Sequence, residues 1–123
     1  MGAPVTWFEI NTAQPKAVRD FYAKIFGWKL QVLDGGDYAL VDTQTKGAIG
    51  GGIGEARGPN QLVFYIEVDD PQAYLNRIEK AGGKTIVPVT VVPDMVTFAQ
   101  FADPQGNVVG LVKRNEEQRF PAR

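Results

Sequence analysis

The sequence predicts an α+β fold made of two βαβββ modules. Three observations carry that reading. Runs of β-branched and aromatic residues alternate with turn-forming clusters along most of the chain. Two segments have helical periodicity. The pieces of the first half recur in the second half at one fixed spacing.

Residues 5–10 (Val-Thr-Trp-Phe-Glu-Ile) read as the first strand. The segment Asn11-Thr12-Ala13-Gln14-Pro15 then offers capping residues and a proline suited to a first helical turn. Val18, Phe21, Tyr22, Ile25 and Phe26 follow at i, i+3, i+4, i+7 and i+8, one face of a helix that Gly27 can cap. Residues 28–33, 38–43 and 48–53 read as strands, separated by Asp34-Gly35-Gly36-Asp37 and Gln44-Thr45-Lys46-Gly47. The second half opens with a strand over 62–68 and the capping segment Asp69-Asp70-Pro71. Tyr74, Leu75, Ile78 and Ala81 form its helical stripe, closed by Gly82-Gly83. Strands over 85–92, 95–102 and 107–113 complete it, with turns at Pro93-Asp94 and Asp103-Pro104-Gln105-Gly106. Pro15 matches Pro71, 56 positions later, and the same spacing matches Phe8 with Phe64, Ile10 with Ile66 and Gly27 with Gly83. The 123 residues thus read as one domain: module one over 4–53, a linker over 54–59, module two over 60–113 and a charged tail over 114–123.

Composition narrows the chemistry. Apolar residues make up 44% and charged residues 22%, a globular balance. A net charge of −1 argues against a broad basic surface for nucleic acid. The chain has no His and no Cys, which removes Ser-His-Asp and Cys-His catalysis, thiol redox chemistry and every His- or Cys-based metal site. Any catalytic acid or base is therefore Asp, Glu, Lys, Tyr or water. The opening residues lack the basic-then-apolar order of a signal peptide, and no window has the length of a membrane span. The expectation is a cytoplasmic protein without a membrane partner.

Two motifs give the pattern a family. Phe21-Tyr22-x-x-x-Phe26-Gly27-Trp28 follows Trp7-Phe8-Glu9-Ile10. Phe101-Ala102-Asp103-Pro104-Gln105-Gly106-Asn107 follows Tyr65-Ile66-Glu67-Val68-Asp69-Asp70 and Ala81-Gly82-Gly83. Over residues 5–113 the chain resembles the vicinal oxygen chelate superfamily, which includes glyoxalase I, extradiol dioxygenases, methylmalonyl-CoA epimerase and bleomycin-resistance proteins. The resemblance implies that each module's sheet curls into half of a cup, and that a chain of this length pairs as a homodimer. In metal-dependent members four cup-facing His, Glu or Gln side chains hold a divalent ion that polarises the substrate. Carried across, those positions fall on Trp7, Val63, Gly110 and a residue of Gly50-Gly51-Gly52, most closely Gly50. None offers a donor to such a cation, so the expectation is no metal and no other cofactor.

Strand alternation then fills the cup. With Trp7 pointing inward, so do Glu9 and Asn11; in module two Val63, Tyr65 and Glu67 do the same. Phe8 and Ile10 are left facing the helices. The glycines at 50–52 and Gly110 leave one wall bare, as if to admit a flat ligand. Each feature has a structural alternative. Trp7 either stacks on a ligand or plugs the space an ion would take. Glu9 and Glu67 are either functional or solvated at a rim, and Tyr65 is either an acid or a wall. The glycine run is a ligand wall or a close strand crossing, and it lacks the Lys-Ser/Thr of a phosphate loop. The Lys16, Arg19 and Lys24 stripe reads as a solvated helix face.

Three functions compete. The first is a metal-free protein that binds a small, flat or aromatic molecule through Trp7, Glu9, Asn11, Gly50, Val63, Tyr65, Glu67 and Gly110. The second is a lyase or isomerase with Glu9 or Glu67 as base and Tyr65 as proton donor or oxyanion stabiliser. The third is a non-catalytic partner protein that uses a sheet edge or the Arg-Phe-Pro-Ala-Arg tail.

Overall fold

The computed structural model describes residues 2–113. The tail over 114–123, and with it the reading of that tail as a contact segment, lies outside the described residues. The elements run in the expected order: β1 (Val5–Thr12), α1 (Pro15–Phe26), β2 (Lys29–Val32), β3 (Tyr38–Asp42), β4 (Gly50–Glu55), β5 (Gln61–Glu67), α2 (Pro71–Lys80), β6 (Lys84–Val92), β7 (Val96–Ala102) and β8 (Val108–Lys113). The fold is α+β, and βαβββ occurs twice. Residues 7–63 form one compact unit; residues 2–6 and 64–113 belong to the other.

In the first unit the strand order is β2-β3-β4-β1. β4 runs parallel to β1 and antiparallel to β3, which is antiparallel to β2. β1 and β4 both extend further than their sequence suggests, because Asn11 pairs with Gly54 and Thr12 with Glu55. Residues 54–55, expected in the linker, are therefore ladder residues. α1 starts at Pro15 and ends where Gly27 takes a left-handed backbone, φ 71°, with its N–H bonded to the Ala23 carbonyl. Gln14 precedes the helix without a side-chain cap. Thr12 Oγ1 instead accepts the Gln14 N–H at 3.1 Å. On the side of β1 that carries Phe8, the apolar contacts are aromatic. Tyr22 stacks on Trp28 at 4.9 Å between centroids, and Phe8 meets Trp28 at 5.5 Å. This is the physical content of Phe-Tyr-x-x-x-Phe-Gly-Trp: the helix supplies Tyr22 and Phe26, and the glycine turns the chain so that Trp28 comes back onto them.

The second unit has the order β5-β8-β7-β6, with β5 and β8 parallel and the remaining pairs antiparallel. Its core is mainly aliphatic: Leu75 of α2 is buried with Val68, Ala99, Val109 and Leu111, and Phe101 joins them. Asp70 caps α2 by accepting the Ala73 N–H at 3.1 Å. Gly83 is a close approach, since a Cβ there would lie 2.8 Å from the Ala102 carbonyl oxygen. The Asp-Pro-x-Gly-Asn motif is a turn clamp between β7 and β8. Asp103 Oδ1 accepts the N–H groups of Gln105 and Asn107, and Oδ2 accepts Asn107 Nδ2 at 2.9 Å. Gly106 takes φ 89° to let the chain turn. The Asn107 side chain, followed by its backbone N–H, holds the Asp103 carboxyl below the ordinary carboxylate value.

Candidate functional site

The site is built on β1, β3 and β4, on the sheet face turned away from the Phe8–Trp28–Tyr22 stack. Alternation puts Trp7, Glu9 and Asn11 there together. Their register partners on β4 are Gly50, Gly52 and Gly54. The fourth member is Tyr38, at the start of β3 and paired with Gly54.

These side chains form one hydrogen-bonded chain. Trp7 Nε1 donates to the Tyr38 hydroxyl at 3.3 Å. The Tyr38 hydroxyl donates to Glu9 Oε2 at 2.9 Å. Asn11 Nδ2 donates to Glu9 Oε1 at 3.1 Å. The direction is forced: an indole N–H can only donate, so the phenol oxygen accepts it and gives its single proton to the carboxylate. Trp7, Glu9, Asn11 and Tyr38 are all half-buried.

The glycines have a different use from the one their sequence suggests. They do not leave the wall bare. A Cβ at Gly50 would meet the Trp7 ring at 3.2 Å, and one at Gly54 would meet the Tyr38 ring at 2.7 Å. At Gly52 a Cβ would overlap the Tyr38 hydroxyl, and at Gly51, on the other face, it would overlap the Phe8 ring. Aromatic rings of the same unit fill the space that the missing side chains create.

The second unit carries a smaller relative of this arrangement. Tyr65 pairs with Gly110, where a Cβ would overlap the Tyr65 ring. Gln100 Nε2 donates to the Tyr65 hydroxyl at 2.8 Å, and Phe98 meets the Tyr65 ring edge-on at 6.5 Å. Tyr65 stands 56 positions after Glu9, so the strand position that holds a carboxylate in one unit holds a phenol in the other. The register partner of Glu9 is Gly52, which makes Gly52, rather than Gly50, the counterpart of Gly110. Tyr65 is 4% exposed and Val63 3%, so neither presents open surface. Glu67, on the Tyr65 face of β5, is half-buried, and its backbone N–H donates to the Pro4 carbonyl at 2.8 Å.

The first unit also has a cleft of about 420 Å³ beside α1, which Asn11 borders but Trp7, Glu9 and Tyr38 do not. Ile10, Val18, Phe21, Tyr22, Asn60 and Leu62 line it. It is a shallow, apolar depression beside a helix and holds no acid–base pair.

Of the residues singled out in the sequence, Trp7, Glu9, Asn11 and Gly50 come together. Tyr65 and Gly110 form a second, separate contact. Tyr38 and Gln100 escape the sequence reading. The signal that could have found Tyr38 is Gly50-x-Gly52-x-Gly54: glycines at alternate positions on one strand face call for a large ring on a neighbouring strand.

The profile of the Glyoxalase/Bleomycin resistance protein/Dioxygenase superfamily matches residues 5–111. The chain belongs to this superfamily. Anthracycline biosynthesis protein DnrV of Streptomyces peucetius is 30% identical over 123 residues, covering 85% of this chain. This chain spans only 44% of that relative's length. A glyoxylase-like domain-containing protein of Didymella fabae is 29% identical, with 89% of this chain and 93% of the relative covered. Among solved structures, the Mn(II)-bound glyoxalase of Novosphingobium aromaticivorans superposes with a TM-score of 0.69 at 18% identity. It covers 98% of this chain and 41% of its own. Methylmalonyl-CoA epimerase of Mycobacterium tuberculosis gives 0.63 at 14% identity, covering 92% of this chain and 89% of its own. These two likenesses establish the fold.

The divalent ion that the fold implies does not fit the residues present. The positions carried over from the superfamily hold an indole, a valine and two glycines, and the Trp7 ring lies over Gly50 itself. Carbon surface and absent side chains give no ligand set for a hard or borderline cation. Among the described residues no helix is long and apolar enough to cross a membrane.

Proposed function

We propose that this member of the superfamily binds a small, planar, aromatic molecule on the Trp7–Glu9–Asn11–Tyr38 face, by contact rather than by coordination. The observation that carries the reading is the indole of Trp7 over Gly50, at a position where the superfamily resemblance calls for a metal ligand. Trp offers a broad face to a flat ring, and its N–H is already engaged by Tyr38. Gly50 sets the depth of that ring. Val63, Tyr65 and Gly110, expected to line the pocket, are buried, so they shape the other module's sheet and leave ligand contact to the Trp7 face. An anthracycline is a flat polycyclic aromatic, so the name of the Streptomyces relative agrees with this ligand class. The same reading makes it a cytoplasmic homodimer, as the superfamily resemblance implies.

The test uses intrinsic fluorescence. Trp7 and Trp28 are the two tryptophans, so the Trp28→Phe variant isolates Trp7 while keeping a ring for Tyr22 to stack on. Titration with a panel of planar aromatics is expected to quench or shift its emission. An unchanged spectrum across the panel at millimolar ligand refutes the reading. Light scattering on the full chain tests the dimer, and a monomer mass at micromolar concentration refutes it.

A second reading rests on the carboxylate–phenol contact. Glu9 abstracts a proton from a carbon acid and Tyr38 returns it or stabilises the oxyanion, as in a lyase or isomerase. Here Tyr38 takes the part expected of Tyr65. Once a substrate is known, Glu9→Gln is expected to lower kcat by about 100-fold or more. Full turnover in that variant eliminates the mechanism.

A further inference from the structure

Resting on the aromatic-ligand reading, we infer that Glu9 is the specificity determinant of the site. It selects planar ligands that carry an O–H or N–H donor at the ring edge, and Tyr38 is the residue that positions it. The argument is one of hydrogen-bond valence. A carboxylate only accepts. Glu9 is gripped from two directions, through Oε2 by the Tyr38 hydroxyl and through Oε1 by Asn11 Nδ2. A single hydroxyl links that carboxylate to the indole nitrogen of Trp7. A ring lying on Trp7 therefore meets, at its margin, a fixed anionic acceptor. A ligand O–H or N–H there completes a charge-assisted bond, stronger than a neutral one. An ether oxygen or a ligand carboxylate faces repulsion instead.

Tyr38 is held as firmly as the group it holds. It accepts from an indole that can only donate, so its own proton is committed to Glu9. The glycines at 52 and 54 leave the volume that its ring occupies. Removal of the hydroxyl alone leaves the ring in place and releases one side of the carboxylate.

The experiment is calorimetric titration of the full chain with three probes on one ring system: 2-naphthol, 2-methoxynaphthalene and 2-naphthoate. In the natural sequence 2-naphthol is expected to bind at least tenfold more tightly than its methyl ether, and 2-naphthoate more weakly than both. Glu9→Gln is expected to cut that preference to about threefold, since a neutral acceptor remains. Tyr38→Phe is expected to lower the preference severalfold while the ether's affinity changes less than twofold; a merely structural role for the phenol would weaken both ligands alike. Equal affinity for naphthol and ether in the natural sequence overturns the inference and leaves the aromatic-ligand reading standing. Failure of all three probes to bind overturns both. An undiminished preference in Tyr38→Phe overturns the positioning role. The comparison in the natural sequence needs no variant to fold.

Discussion

The two modules share an order of elements but not a way of burying their helices. In the α2 unit, Leu75 is 2% exposed and closes an aliphatic cluster with Leu111 and Val109. In the α1 unit no helix residue is buried, and Phe21, Ile25 and Phe26 are each more than half exposed. Both helices are amphipathic by sequence, so amphipathicity by itself does not say what a helix packs on. α2 spends its apolar stripe on its own sheet. α1 attaches through the aromatic contacts of Tyr22 and Phe26 with Trp28 and leaves Phe21 and Ile25 largely uncovered. The module with the weaker helix anchorage is also the one that carries the Trp7–Tyr38–Glu9 chain.

That contrast is broken or sharpened by measurement. Leu75→Ala should cost about 2–5 kcal/mol in urea unfolding, the usual range for truncation in a packed core. Ile25→Ala, 56% exposed, should stay within about 0.5 kcal/mol. An Ile25→Ala cost that rivals Leu75→Ala and varies with protein concentration would mean that a second copy covers α1.

The helix starts give a smaller effect. Asp70→Ala removes a cap bond to Ala73 and should lose about 1 kcal/mol. At the uncapped start of α1, Gln14→Asp should gain up to about 1 kcal/mol, read from the same unfolding curves. Equal and negligible shifts at both ends would erase this difference between the modules.

The smallest expected effect belongs to the β7–β8 turn, a clamp on the α2 module. Because hydrogen bonds from Asn107 hold the Asp103 carboxyl low in the folded state, its contribution is present above the unfolded carboxyl's value and is lost as pH falls through the folded one. The stability gap between the natural protein and Asp103→Asn should therefore be widest near neutrality and close in acid, below the ordinary value of 3.8. A gap independent of pH would remove the carboxylate from the account of the turn.

Much of this architecture is legible in the residues because the signals are local. Pro15 and Pro71 open helices, and Gly27 ends one in the only hand that suits it. Alternation along β1 separates Trp7 and Glu9 from Phe8 without further information. The site is legible only in part, since its remaining member is distant in sequence. Tyr38 lies 29 positions from Glu9 and behind a Gly-rich turn, so no periodicity ties the two together. Strand ends are equally hard to read. With β4 placed over 48–53 instead of Gly50–Glu55, the register linking Glu9 to Gly52 could not be read. The exposure of the α1 stripe is illegible for a different reason: hydropathy reports which face is apolar, and exposure depends on what arrives to meet it.

Four of the six residues of β4 are glycine, a composition with little intrinsic preference for an extended ladder. The strand is held by its neighbours on both sides and by the rings resting on it, so its openings in native-state hydrogen exchange report on those contacts. Each such opening would free the indole and the phenol at once, so amide protection at Gly50, Gly52 and Gly54 should rise when a ligand settles against them. The same smooth strand that makes room for the site thereby becomes its gauge of occupancy.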